Sequence, residues 1–260
     1  MATKGGKGKG REKERMKSLV RSIDVNMAEV REKYMPGVSI DTVIFSFHDD
    51  ELKVLLIRYG DIPFYCLPGG FIEKTEELDD AALRILKERS GIGNIYLEQF
   101  YTTGAVNRSQ GHMMGEWFQE LAKDRDVKNW FDQRFISVCY YALIDEANVE
   151  LLSEEFVTEM KWVDVKKLPK LYLDHALIVK KAIERLQIDL DQKLVGFNLL
   201  NETFTMGELQ KLYEAVYQKA FDRTNFQRKM LSMNILERLE KKYTGKAYKA
   251  PYLYRFISKV

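Results

Sequence analysis

The sequence predicts an α+β chain in which a mixed strand-and-helix domain is followed by a smaller domain of two short helices and a basic hairpin. Three observations predict it. Apolar residues alternate at period two and then recur at helical spacing through the first 190 positions; the last seventy residues read as helix, helix, strand, turn and strand; and charge is segregated along the chain. Residues 1–21 carry eight Lys/Arg against two Glu (+6), and residues 191–260 carry thirteen against seven (+6). The segment between them therefore holds −10 in a chain whose net charge is +2. Basic ends on an acidic body fit ends that touch a polyanion, although residues 1–10 fit a solubilising arm equally well.

Residues 12–34 have spaced Met, Leu, Val and Ile among charges and predict a helix ending before Pro36, which disfavours helix in its predecessor. Residues 39–47 and 53–58 predict two strands joined by a turn at His48-Asp49-Asp50-Glu51, a β-hairpin. Pro68-Gly69-Gly70 predicts a loop. Residues 76–89 then show helical periodicity, with Leu78, Ala82, Ile85 and Leu86 on one stripe, acids in the first turns and Gly91 past the end. Residues 96–101, 135–144 and 157–163 predict strands, and residues 174–186 an amphipathic helix. The segment 104–134, with Trp117, Phe118, Trp130 and Phe131, is longer than an ordinary connection. It predicts either a helical lid over a pocket, a dimer contact or a cover for the sheet edge.

With 260 residues, 45% of them hydrophobic, the chain has enough material for two domains. No apolar run approaches the roughly 18 residues of a membrane span, and the basic N-terminus precedes no apolar segment, so a cytoplasmic location without membrane contact is expected. Cys66 and Cys139 lie in apolar strand-like runs and are expected as buried thiols. His48, His112 and His175 are scattered and no CxxC occurs, so no metal site and no cofactor are expected.

Residues 69–92, GGFIEKTEELDDAALRILKERSGI, resemble the Nudix box. Gly70, Glu76, Arg84, Leu86, Glu88, Gly91 and Ile92 occupy matching positions. The resemblance implies Mg²⁺-binding glutamates at Ile85, Glu88 and Arg89, where helical spacing gathers carboxylates around one hard cation. Only Glu88 is acidic. Ile85 offers no oxygen, and Arg89 places a permanent cation where the metal would sit, so no catalytic residue is expected. Arg84 is expected to pair with Glu88 across one turn or to anchor Glu73 or Glu76. The competing reading is an active Nudix hydrolase of nucleoside diphosphate compounds with an accessory C-terminal domain. Its metal site would be rebuilt from Glu73, Glu76 and Glu88, with an acid from residues 124–132.

After residue 200 the pattern is that of a winged helix-turn-helix. Thr205 caps a helix over 206–217 with Leu209, Leu212, Tyr213 and Val216 inward; a break at 219–222 precedes a second helix over 223–233. That helix puts Phe226, Met230 and Leu231 inward and leaves Arg223, Thr224, Asn225, Arg228 and Lys229 for base edges and phosphates. Strands over 236–241 and 252–257 flank a basic turn, 243–250, and form a wing whose Lys242, Lys246 and Lys249 suit backbone phosphate. Thr205 joins these as a candidate DNA contact.

The whole arrangement, including LPGGFIE, YLEQFYTTG, ISVCYYALI and FTMGELQKLYEAVYQKAFDRTNFQRKML, resembles the Nudix-related transcriptional regulators of bacteria. The resemblance implies a Nudix-like mixed β-sheet/α-helix sandwich followed by a winged helix-turn-helix. The chain is expected to divide into residues 1–34 as basic tail and N-terminal helix, 35–190 as effector-sensing domain and 191–260 as DNA-binding domain, with the resemblance covering 38–260 and leaving the tail outside it. The resemblance also implies a homodimeric repressor on double-stranded operator DNA, with either ADP-ribose or a pentose sugar as effector. Arg58, Glu73, Arg84, Glu88, Tyr101 and Arg134 are the candidate effector contacts, because they lie on or beside the strands and box that enclose the pocket.

Overall fold

The computed structural model describes residues 26–91, 96–106, 108, 113–122, 125–144, 146, 157–192, 199–242 and 250–257. The basic tail, most of the expected N-terminal helix, the tip of the wing with Lys246 and Lys249, and His112 and Asp124 lie outside these residues.

Helix α1 (Met27–Lys33) opens the described chain, with the Asn26 side chain accepting from the Ala28 N–H. Tyr34 then starts strand β1 (Tyr34–His48) five residues earlier than the sequence predicts. Pro36 and Gly37 are carried in an irregularity of the pairing between Tyr34 and Ser39, where Gly37 takes φ +71°. An interrupted register is a place where a strand tolerates proline.

Strand β1 is the spine of a six-stranded mixed sheet. It pairs antiparallel with β2 (Glu51–Tyr59) through its C-terminal half and with β3 (Gly69–Glu73) through its N-terminal half. Its other edge pairs parallel with β5 (Ile136–Leu143), on which β4 (Leu97–Thr103) lies antiparallel; β6 (Val157–Asp164) closes the far side on β2. The expected loop at Gly69-Gly70 is thus the start of a strand. A Cβ on Gly69 would lie 2.6 Å from the Ile40 carbonyl oxygen, so glycine is what lets β3 approach β1.

Alternation along the strands sorts the core into two faces. Ile40, Val138 and Tyr140 turn toward helix α2 (Leu78–Ser90), packing on Ala81, Ala82 and Ile85. Val43, Phe45, Cys139 and Tyr141 turn toward helix α5 (His175–Gln192), packing on Ile178, Val179, Ala182 and Leu186. Leu78, expected on the inward stripe of α2, is exposed because it occupies the first turn, before the helix reaches the sheet. Cys66 and Cys139 are buried, and burial pushes both thiols well above their ordinary range.

The long 104–134 segment contains helices α3 (Met113–Ala122) and α4 (Arg125–Asp132). They clasp each other through Phe118 and Phe131, whose rings stack at 4.8 Å with an interplanar angle of 1°.

The C-terminal unit is the expected winged helix with one added strand, β7 (Phe204–Thr205), too short to leave a period in the sequence. Helix α6 (Met206–Tyr217) starts with a capping box in which the Glu208 N–H donates to Thr205 Oγ1 and the Thr205 N–H donates to Glu208. Helix α7 (Arg223–Ser232) is capped by Asp222, which accepts from the Asn225 N–H. Strands β8 (Leu236–Lys241) and β9 (Tyr252–Phe256) pair, and β9 also pairs with β7. Phe226 and Met230 are buried, but Leu231 is 42% exposed. One residue beyond Met230 rotates it about 100° off the buried stripe. The apolar cluster continues without a break from the sheet through Leu186 and Leu190 of α5 to Leu212, Val216 and Met230, so α5 belongs to both cores.

Candidate functional site

A cavity of 290 Å³ opens where β1, β3, α2 and the α3–α4 pair converge. Its walls are largely aromatic, with Tyr59, Phe71, Phe118, Phe131 and Phe135 among them, and Arg84, Glu88, Arg89, Asp41, Arg108 and His175 supply the polar groups. An apolar enclosure with few placed polar groups is the ordinary architecture of a small-molecule site. Met114, Phe118 and Phe131 come from α3 and α4, so the inserted segment acts as a lid on this cavity.

The polar end is a buried network. Arg108 donates from Nη2 to Asp41 Oδ2 and from Nε to Asp174 Oδ1, both at 2.8 Å, with its own side chain 4% exposed. Ser137 also donates to Asp41 Oδ2 (2.6 Å), and Thr103 donates to Asp174 Oδ2 (2.7 Å). His175, the first residue of α5, accepts the Leu67 N–H on Nδ1 at 2.9 Å, which leaves its proton on Nε2, 3.5 Å from Asp41 Oδ1. Burial lowers the His175 pKa, so the ring is neutral at pH 7. Burial is the largest single effect on the Asp174 carboxyl and raises its pKa, but the Thr103 hydrogen bond and the charge and hydrogen bond of Arg108 together outweigh it and hold the carboxyl below its ordinary value. Sequence reasoning missed this network. Its only trace was Asp41, a carboxylate inside the apolar run of β1, since Arg108 and His175 meet it only in three dimensions.

The box helix presents the other polar side. Arg84 donates from Nη2 to Glu76 (2.6 Å) and from Nη1 to Glu88 (3.2 Å), while Glu73 stands 3.8 Å from its Nε. The two expected roles of Arg84 are therefore one arrangement: its guanidinium lies among three carboxylates. Hydrogen bonding to Arg84 lowers the Glu76 pKa. Ile85 is buried and packs against Gly70, where a Cβ would meet its Cγ1 at 3.0 Å. Arg89 lines the cavity and donates from Nε to the Gly69 carbonyl at 3.2 Å. No three His, Cys, Asp or Glu among the described residues are placed to hold a metal ion.

Of the expected effector contacts, Arg84 and Glu88 line the cavity and the other four do not. Arg58 turns to the β6 edge, where it pairs with Glu159 at 2.6 Å over the Tyr65 ring. Glu73 pairs with Lys33 at 2.9 Å. Tyr101 packs beside Phe100 on β4, and Arg134 donates to the Gly104 carbonyl, closing the base of the lid. Position on or beside the strands and box predicted these residues, but the cavity opens beside Asp41 and away from them.

On the winged helix, Arg223, Thr224, Asn225, Arg228 and Lys229 share the exposed face of α7. Arg228 donates to Asn225 Oδ1 at 2.8 Å, an arrangement that pre-orients the two polar heads. Lys229 reaches Asp191 at 3.2 Å, and Lys242, at the base of the wing, pairs with Glu208 at 2.9 Å. Thr205 is largely buried, and its hydroxyl oxygen accepts the Glu208 N–H in the capping box. No helix among the described residues is long and apolar enough to cross a membrane.

Comparison with known proteins matches both halves of this architecture. The NUDIX domain model covers residues 35–186 and the NrtR DNA-binding winged helix domain model covers residues 196–256. The chain is 29% identical over 230 residues to the ADPR responsive transcriptional repressor NtrR of Acinetobacter baylyi, covering 85% of this chain and 82% of that protein. It is 28% identical over 148 residues to the ADP-ribose pyrophosphatase of Methanocaldococcus jannaschii, covering 56% of this chain and 72% of that one. The crystal structure of Shewanella oneidensis NrtR superposes with a TM-score of 0.61 at 28% identity, over 85% of this chain and 94% of that chain. The same protein complexed with a 27mer DNA gives a TM-score of 0.59 at 28% identity, over 85% and 93%. With a Nudix domain, a cavity under a helical lid and an NrtR-type winged helix in one chain, this protein belongs to the NrtR-like family of Nudix-related transcriptional regulators.

Proposed function

We propose that this chain is a repressor whose winged helix binds operator DNA as a homodimer and whose Nudix cavity is a receptor for ADP-ribose, not a hydrolytic site. The observation that carries the receptor reading is Arg89, which puts a guanidinium on the cavity wall where the family pattern has a metal-binding carboxylate. A fixed cation there stabilises the charge of a diphosphate without Mg²⁺, but it neither activates a water nor assists a leaving group as the metal would. Ile85, enclosed in the core, offers no ligand either. The aromatic side chains in the walls offer apolar surface suited to an adenine ring. The similarity to a repressor that responds to ADP-ribose and to a regulator crystallised on DNA supports both halves of the reading.

One observation favours a second effector. The cavity measures 290 Å³, near the lower limit for small-molecule sites, and its buried polar end is rich in paired donors and acceptors. A free pentose matches that end alone. Calorimetric titration of ADP-ribose and of pentoses into the metal-free protein, followed by the same ligands added to its complex with DNA selected from a random pool, tests both readings. ADP-ribose binding that releases DNA supports the first, and binding restricted to a pentose supports the second. Mg²⁺-dependent release of AMP would contradict the receptor reading.

A further inference from the structure

Resting on that receptor reading, we propose that Asp41 and His175 are a fixed acceptor–donor pair that recognises the vicinal diol of a sugar ring. The sugar is either the terminal ribose of ADP-ribose or a free pentose, and Arg108 holds the pair in position.

The two carboxylate oxygens of Asp41 are not equivalent. Oδ2 takes hydrogen bonds from Arg108 (2.8 Å) and Ser137 (2.6 Å), which fix the plane of the carboxylate. Oδ1 faces His175 Nε2 at 3.5 Å, beyond a normal hydrogen bond between these atoms. The Gly69 wall lies beside Oδ1. A Cβ at Gly69 would stand 2.9 Å from Oδ1, so the glycine keeps that oxygen approachable from the cavity. His175 is equally fixed, since the Leu67 N–H takes its Nδ1 and forces the remaining N–H to the Asp41 side. One acceptor and one donor stand side by side, and two adjacent hydroxyls satisfy them together: one donates to Oδ1 while the other accepts from Nε2–H.

Charge selects the sugar over a phosphate at this end. Asp41 and Asp174 both pair with Arg108, and His175 is neutral, so among these four side chains the carboxylates outnumber the cation they share. Such an excess repels an anion and is stabilised by hydroxyl donors. The Tyr172 ring stands edge-on to His175 at 5.7 Å and supplies an apolar wall for the C–H face of a sugar.

The test is calorimetry on the full chain with ADP-ribose, ribose and arabinose, each compared with its analogue lacking one hydroxyl of the diol. For whichever parent binds, the deoxy analogue is expected to bind at least about tenfold more weakly, because it leaves a buried polar group unsatisfied. In Asp41→Asn that discrimination should collapse to less than about threefold. The wild-type comparison stands even if Asp41→Asn fails to fold. A deoxy analogue that binds the wild type as tightly as its parent overturns the diol assignment while leaving the receptor reading intact. No binding by any of the three parents overturns both.

Discussion

Lys229 of α7 lies 3.2 Å from Asp191 of α5. The side chain proposed to meet a DNA phosphate is thereby held by the helix whose first residue, His175, lines the cavity. The same end of α5 is fastened to α6. Tyr213 donates to the Leu190 carbonyl at 3.0 Å, Tyr217 donates to the Gln187 carbonyl at 3.1 Å, and Gln187 Nε2 donates to the Val216 carbonyl at 3.0 Å. A small shift of α5 on ligand binding would reach the DNA-binding helices through these bonds, and a tenfold change in DNA affinity needs a coupling of only about 1.4 kcal/mol.

Asp191→Asn should leave Lys229 without its carboxylate partner. Because exposed pairs are weak, DNA affinity is expected to rise only about two- to threefold, measured by fluorescence anisotropy, with the Kd of the cavity ligand unchanged.

Replacing Arg228 and Lys229 together with Ala should cut DNA affinity at least about tenfold and lower the slope of log K against log salt by about two. Thermal stabilisation by the cavity ligand should stay as in the wild type. A normal salt slope in the double variant would remove α7 from the DNA contact.

Arg89→Ala separates the two effectors. ADP-ribose affinity should fall at least about tenfold through loss of a charge-assisted contact to the diphosphate, whereas a pentose seated at the Asp41 end should bind within about twofold of the wild type.

Stability should fall as the solution is acidified below the ordinary histidine pKa of about 6.5. Burial depresses the folded-state value of His175, so the unfolded chain takes up protons first and the stabilising contribution, complete above that pH, is lost as pH falls toward the folded value. His175→Gln keeps an acceptor for the Leu67 N–H and should flatten the melting temperature between pH 7.5 and 5.5. The depressed Asp174 carboxyl acts in the same direction at lower pH, below about 4.

Gly69→Ala should destabilise the chain by about 1–3 kcal/mol and weaken the cavity ligand as well. The new methyl would meet the Ile40 backbone oxygen at 2.6 Å and Asp41 Oδ1 at 2.9 Å. Thermal melts and titration of the same variant read both effects.

Most of the architecture was legible in the sequence because it rests on local periodicity. Helix α6 and strand β8 fall at the predicted residues, and the box helix and α7 differ only at their ends. The start of β1 was not legible, because Pro36 and Gly37 signal a break while the partner strand, 35 residues away, absorbs them in a register shift. The site was legible at Arg84, Glu88 and Arg89, which the box pattern carries. Asp41, Arg108 and His175 meet through contacts 66 to 108 residues apart in sequence, involving Asp174 and Leu67 as well. No spacing rule links such positions, whereas a helical lid over a pocket was one reading that the aromatic residues of segment 104–134 supported.

The most direct test of the receptor reading is titration of ADP-ribose and a pentose, without Mg²⁺, into the protein bound to its selected DNA, with anisotropy of the DNA followed and the nucleotide recovered afterwards. Release of the DNA by one of these ligands, saturating at a single site per chain and with the ligand recovered intact, is the predicted result. DNA that stays bound at saturating ligand, or ADP-ribose recovered as AMP and ribose phosphate once Mg²⁺ is restored, would contradict it.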